Sequence, residues 1–93
     1  MRFEWEVRKN NINKVKHGVS FEDAETVFDD DNAIIFNDSE SSFDEERFII
    51  IGMDLKNREL VVCHCYREDS EIVRIFSARK ATKKECKLYW SSL

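Results

Sequence analysis

Arg47-Phe48-Ile49-Ile50-Ile51-Gly52-Met53-Asp54-Leu55 is followed by Glu59-Leu60-Val61-Val62-Cys63-His64-Cys65-Tyr66 and then by Glu71-Ile72-Val73-Arg74-Ile75-Phe76-Ser77. These runs are rich in β-branched and aromatic residues and are separated by Lys56-Asn57 and Glu68-Asp69-Ser70, so they read as consecutive strands with tight turns. Strands joined this closely pair antiparallel, because a parallel partner needs a long crossover. A shorter strand at 33–37 precedes them. The centre of the chain is therefore an antiparallel meander.

Toward the N-terminus, residues 2–7 alternate, with Phe3, Trp5 and Val7 on one side and Arg2, Glu4 and Glu6 on the other, as in a half-buried strand. Residues 10–17 form a short polar helix, with Ile12 and Val15 three apart and Gly18 placed to end it. Ser20 opens a second helix with Asp23 in the capping-box position and Glu22 near the positive end of the dipole. Phe21, Ala24, Val27 and Phe28 recur at helical spacing, and Asp29-Asp30-Asp31-Asn32 stops the run. Thr82-Lys83-Lys84-Glu85 is a capping box for a last helix. There Cys86, Tyr89, Trp90 and Leu93 make a packing stripe opposite Lys83, Lys84 and Lys87. The order β-α-α-β-β-β-β-α defines an α+β fold, a small antiparallel sheet with helices packed on it. Residues 1–93 make a single domain, since the chain is too short for two cores. With two glycines and no proline, the turns fall to Asn, Asp and Ser. Residues 38–46 read as an exposed acidic loop.

The net charge of -4 and pI near 5.2 argue at first against a nucleic-acid partner. The distribution says otherwise. Residues 1–17 carry a net +3, residues 18–46 carry -11 with no Lys or Arg, and residues 47–93 carry +4. Distribution, more than the sum, speaks to partners. Other classes fall away. No apolar run approaches the roughly 20 residues that cross a bilayer, and the N-terminus lacks the apolar core of a signal peptide. Three cysteines without such a leader fit a reducing cytoplasm.

Cys63-His64-Cys65 suggests a metal cluster, but alternation on a strand sends His64 to the opposite face from both cysteines. No further ligand spacing supports a site, so a metal or cofactor is not expected. Core cysteines and a structural His64 are the expectation, with a catalytic His64 the lesser alternative. Lys16-His17-Gly18 places a cation and an imidazole together at a helix end, where the dipole favours both. Arg74 stands mid-strand between Val73 and Ile75, Arg79 follows at the strand end, Arg47 begins one strand and Arg67 ends another. A guanidinium on an apolar ribbon is costly unless it is paired or aimed at a site. It matches phosphate oxygens bidentately. Arginines with a Lys-His pair, and without a glycine-rich loop, point to metal-free phosphodiester chemistry on RNA. There the 2′-hydroxyl is the nucleophile, cations stabilise charge on phosphorus and a side chain moves protons. Salt bridges to the carboxylates of 18–46 are the plain alternative.

These residues also carry a resemblance. Phe3-Glu4-Trp5-Glu6, Lys16-His17-Gly18-Val19-Ser20-Phe21-Glu22-Asp23-Ala24, Glu45-Glu46-Arg47-Phe48 and Arg74-Ile75-Phe76-Ser77-Ala78-Arg79-Lys80-Ala81-Thr82 resemble the BrnT family over essentially the whole chain. The resemblance implies a RelE-like bacterial toxin of a type II toxin–antitoxin module, a ribonuclease that inhibits translation. It implies a BrnA-type antitoxin, whose DNA-binding part brings the complex to operator DNA as a heterotetramer built on an antitoxin dimer. Carried onto the matching positions, it assigns catalysis to Lys16, His17, Arg47, Arg74 and Arg79. Lys16, Arg74 and Arg79 bind phosphate, His17 moves the proton, and Arg47 holds substrate or orients a carboxylate. Two departures stand out: Glu68-Asp69-Ser70 where relatives often carry glycine, and the acidic 38–46 loop.

The rival from another class is a catalytically weak or inactive subunit that serves only to bind its partner in a DNA-binding autoregulatory complex. On the leading reading the two basic ends meet in one pocket. The acidic middle then lies away from it, facing basic groups of the antitoxin or serving solubility.

Overall fold

A computed structural model describes residues 1–41 and 45–93. The elements are β1 (Arg2–Glu4), α1 (Val7–His17), α2 (Phe21–Glu25) continued by a 3₁₀ turn Thr26–Asp29, β2 (Ile34–Asn37), a 3₁₀ turn Ser39–Ser41, β3 (Phe48–Met53), β4 (Glu59–Arg67), β5 (Ile72–Lys80) and α3 (Lys83–Ser91). The α+β class and element order are as the sequence implies. Part of the acidic loop expected at 38–46 lies outside the described residues, and Ser39–Ser41 within it is helical.

The sheet runs β1-β5-β4-β3-β2. From β2 to β5 it is the expected antiparallel meander. β1 differs: it joins the far edge parallel to β5, with Phe3 opposite Val73. Parallel pairing is open to it because most of the chain lies between the two strands. It is also shorter than the 2–7 expected, since Val7 already belongs to α1. The edge of β5 beyond Arg74 is instead satisfied by a side chain of that helix. Asn13 Nδ2 donates to the Ala78 carbonyl at 2.7 Å, and the Ala78 N–H donates to Asn13 Oδ1 at 3.2 Å.

This docking inverts α1. Its buried residues are Asn10 and Asn13, while Ile12 and Val15, the apolar pair spaced three apart, are exposed. Asn10 accepts from the Phe21 N–H and donates to Glu22, and Asn13 donates also to the Val19 carbonyl. The helix packs on exposed backbone, where unpaired N–H and C=O groups cost more than apolar contact returns.

The inner face of the sheet carries the main core. Phe21, Ala24 and Val27 pack on Leu60, Val62, Val73, Ile75 and Ala78. Ser20 caps α2 by accepting from the Asp23 N–H. On the outer face a smaller cluster of Ile51, Val61 and Tyr89 seats α3. The Tyr89 hydroxyl donates to Asp30 at 2.7 Å, and Asp30 also accepts from the Met53 N–H. Gly52 is required beneath this latch, since a Cβ there would stand 2.8 Å from Ala33 Cβ. The expected α3 stripe is only partly buried: Tyr89 is enclosed, but Trp90 and Leu93 are exposed. The short helix covers one end of the outer face through Tyr89, and Trp90 lies at the rim, where its indole N–H donates to Glu59 at 2.9 Å.

A β-bulge between Cys63 and His64 sets which side chains β5 turns outward. Ser77 pairs with Cys63 but Ile75 pairs with His64, so Phe76 is the extra residue. Ile75 and Ala78 are therefore both buried inside, and Phe76 and Ser77 both turn to the outer side.

Candidate active site

Lys14, Lys16 and His17 occupy the last turn of α1, which Gly18 ends at φ 68° while donating its N–H to the Lys14 carbonyl. Left-handed backbone of this kind favours glycine. The helix end faces the bulge of β5 across a cleft of about 240 Å³, lined by Lys9, Ile12, Asn13, Lys16, His17, Phe76 and Ser77. Helical spacing puts Lys9, Asn13 and Lys16 on one side, and the bulge supplies two consecutive residues to the opposite wall.

Phe76 joins this cleft to Arg47. The Arg47 guanidinium carbon lies 3.8 Å from the ring centroid and the Lys9 ammonium 5.5 Å from it, both in cation–π range. Arg47 directly precedes β3, where its carbonyl accepts from the Asp38 N–H. Burial pushes the nearby Cys63 thiol up, Asp38 adds to the rise, and Arg47 opposes it. Cations from the first and third charge segments thus meet around one aromatic ring.

Arg74 and Arg79 also lie on the outer side of β5, one on each side of Phe76-Ser77. Both are engaged. Arg74 pairs with Glu4 at 2.5 Å. Arg79 donates to both carboxylate oxygens of Glu85, at 2.7 and 2.9 Å. Glu85 also accepts from the Thr82 N–H in the capping box of α3. The Arg79 hydrogen bonds, helped by that N–H against the cost of burial, hold the Glu85 carboxyl down at about 2. Neither partner belongs to the acidic middle. Those carboxylates are used elsewhere: Asp23 pairs with Lys56 and Arg58, and Glu45 with Arg67.

His64 is fully buried, edge-on to Phe28 and Tyr66. Its Nδ1 lies 3.1 Å from the Val62 carbonyl and its Nε2 3.1 Å from the Tyr66 hydroxyl. A carbonyl only accepts, so Nδ1 carries the proton and Nε2 accepts from Tyr66. Burial pushes this imidazole down, outweighing the Val62 carbonyl, and keeps it neutral. The structural reading of His64 fits this geometry. Cys65 is buried and Cys63 half-buried, both as free thiols. Among the described residues no group of three or more His, Cys, Asp or Glu side chains is arranged to hold a metal.

Sequence reasoning did not single out Lys9, Asn13, Phe76 or Ser77. Lys9 stands seven residues before Lys16, two turns on one helix face, a signal hidden by starting the helix at Asn10. The outward turn of Phe76 depends on the bulge, which no local pattern announces.

The family of the ribonuclease toxin BrnT, of type II toxin–antitoxin systems, matches residues 5–85. The chain belongs to the BrnT family. The crystal structure of the Brucella abortus ribonuclease toxin BrnT matches with a TM-score of 0.68 at 25% identity, covering 89% of this chain and 99% of that one. No curated protein matches. The BrnT match spans the whole cleft and all five candidate residues. No described helix is long and apolar enough to cross a membrane.

Proposed function

We propose that this BrnT chain is a metal-independent endoribonuclease of the bacterial cytoplasm that inhibits translation and is neutralised by a BrnA-type antitoxin. The observation carrying this is the cleft, where Lys16 and His17 face Phe76 and the ring bears Arg47. The 2′-hydroxyl of RNA attacks the adjacent phosphorus and the bond to the 5′-oxygen breaks, leaving a 2′,3′-cyclic phosphate and a 5′-hydroxyl. Lys16 and Arg47 stabilise the charge gathering on the non-bridging oxygens. His17 moves a proton between the 2′-hydroxyl and the departing oxygen. Arg74 and Arg79 are secondary phosphate contacts, each keeping spare N–H donors beside its carboxylate. The antitoxin carries the complex to operator DNA as a heterotetramer.

Purified chain incubated with RNA in excess chelator tests this. Cleavage should persist, with cyclic phosphate ends, and Lys16→Ala should abolish most of it. Cleavage that stops with chelator and returns with divalent ions would overturn the metal-independent mechanism. If induction of the chain alone leaves growth and RNA intact, the inactive partner-binding subunit becomes the better account.

A further inference from the structure

Helix α1 carries its polar side inward and its apolar side outward. Val15 is 90% exposed, Val7 70% and Ile12 51%. The same helix bears Arg8, Lys9, Lys14 and Lys16 and no carboxylate. Val15 lies in an outer depression with Asn11, Ile12 and Lys16. Ile12 and Lys16 also line the cleft, so the two hollows share a wall.

We propose that this outward face of α1 docks an acidic amphipathic segment of the antitoxin, and that the same docking buries Lys16 and closes the cleft. The inference rests on the toxin reading above and assigns the surface by which the site is regulated. Three observations choose the occupant. Branched aliphatic side chains standing in water gain by meeting other apolar side chains. They offer neither rings for base stacking nor donors for phosphate, so RNA does not account for them. The surrounding cations, with no carboxylate on the helix to offset them, select an acidic partner and steer its approach. Because Lys16 belongs to both hollows, a carboxylate seated on the outer one competes directly with substrate phosphate for its ammonium. The helix is roughly 16 Å long, enough for two to three turns of a partner helix laid along it.

The test uses the purified chain, its cognate antitoxin and a defined RNA. Val15→Asp and Lys14→Glu alter exposed positions outside the catalytic cluster, so both variants should melt as the parent does. Titration calorimetry should show antitoxin affinity falling about thirty-fold for Val15→Asp, the size of an interface hot spot, and less for Lys14→Glu. RNA cleavage by each variant alone should be unchanged, and added antitoxin should no longer suppress it. Unchanged affinity in both variants would overturn the proposal. So would lost cleavage with antitoxin binding intact, which would make α1 an RNA contact. If the parent cuts no RNA, the nuclease reading falls, and the affinity measurements still decide the docking surface.

Discussion

Between Phe76 and Arg79 the outer side of β5 meets cations at both ends of the stretch, and the fold treats the two ends differently. At the Phe76-Ser77 end, Lys16 and His17 line a cleft, and the described ion pairs include neither of them. At the other end, Arg79 is bound on both guanidinium branches by Glu85. The first arrangement leaves charge available to a ligand. The second uses charge to attach a helix. Position on a strand therefore does not make an arginine catalytic; what its donors already hold decides the matter.

The largest expected effect lies at the first end. Lys16→Ala should lower the single-turnover rate of RNA cleavage about 10²–10³-fold, the usual consequence of removing one donor to a developing oxyanion. The melting temperature should hardly move, because an exposed helix cation outside the described ion pairs contributes little to stability. His17→Ala should act similarly. A large loss of stability with little loss of rate would erase the contrast between the two ends.

The second end predicts the reverse pattern. Arg79→Ala and Glu85→Gln should each cost about 1–2 kcal/mol in chemical denaturation, allowing for the partial exposure of the arginine. The pH dependence has a definite sign. Glu85 has a folded value of about 2 against an ordinary 4.5. Its contribution is full above about pH 4.5 and is lost as the pH falls toward 2. Glu85→Gln should flatten stability over that window. The two variants also separate roles. If Arg79 only holds α3, both should cleave RNA equally well. If it also reaches phosphate, Arg79→Ala should lose rate beyond Glu85→Gln.

The fold was largely legible because the meander, the Ser20 cap and the Thr82 capping box are local patterns. Gly18 announced the end of α1 for the same reason. The parallel placement of β1 was not legible, since it depends on which strand edge remains open after the meander forms. The inversion of α1 was hidden more deeply. Apolar spacing at Ile12 and Val15 marked a helix without naming its buried face, and the helix docks through Asn10 and Asn13 onto backbone that only tertiary structure exposes. Within the candidate site, residue types marked the five positions, yet the types could not distinguish Arg79, clamped by Glu85, from Lys16 in the cleft. Likewise the inward turn of Ile75 followed by the outward turn of both Phe76 and Ser77 requires a bulge.

Phe76 offers a smaller and more specific test. Its ring supports Arg47 and Lys9, so Phe76→Leu keeps apolar volume while removing the π-face. A loss of about 1 kcal/mol of cation–π interaction corresponds to a rise in KM of about fivefold, with kcat less affected. Phe76→Tyr should restore the parent value, which a merely space-filling ring would not require. If Leu and Tyr behave alike, the ring does not position Arg47.

The smallest effect belongs to neither charged end but to the hairpin that joins β4 to β5. Glu68, Asp69 and Ser70 all have positive φ, at 50°, 55° and 70°, where an L side chain crowds its own backbone. Aspartate tolerates this region better than glutamate, because its short carboxylate can reach nearby backbone groups. Glu68→Gly should therefore stabilise the chain more than Asp69→Gly, by about 0.5–1 kcal/mol after the added freedom of the unfolded glycine is subtracted. The exposed Arg2–Glu68 pair, at 3.5 Å, subtracts little when lost. Urea denaturation would measure the gain, and cleavage should be unchanged because neither residue lines the cleft. A gain confined to Asp69→Gly would mean that the Glu68 side chain stabilises the turn in a way its backbone angles do not reveal.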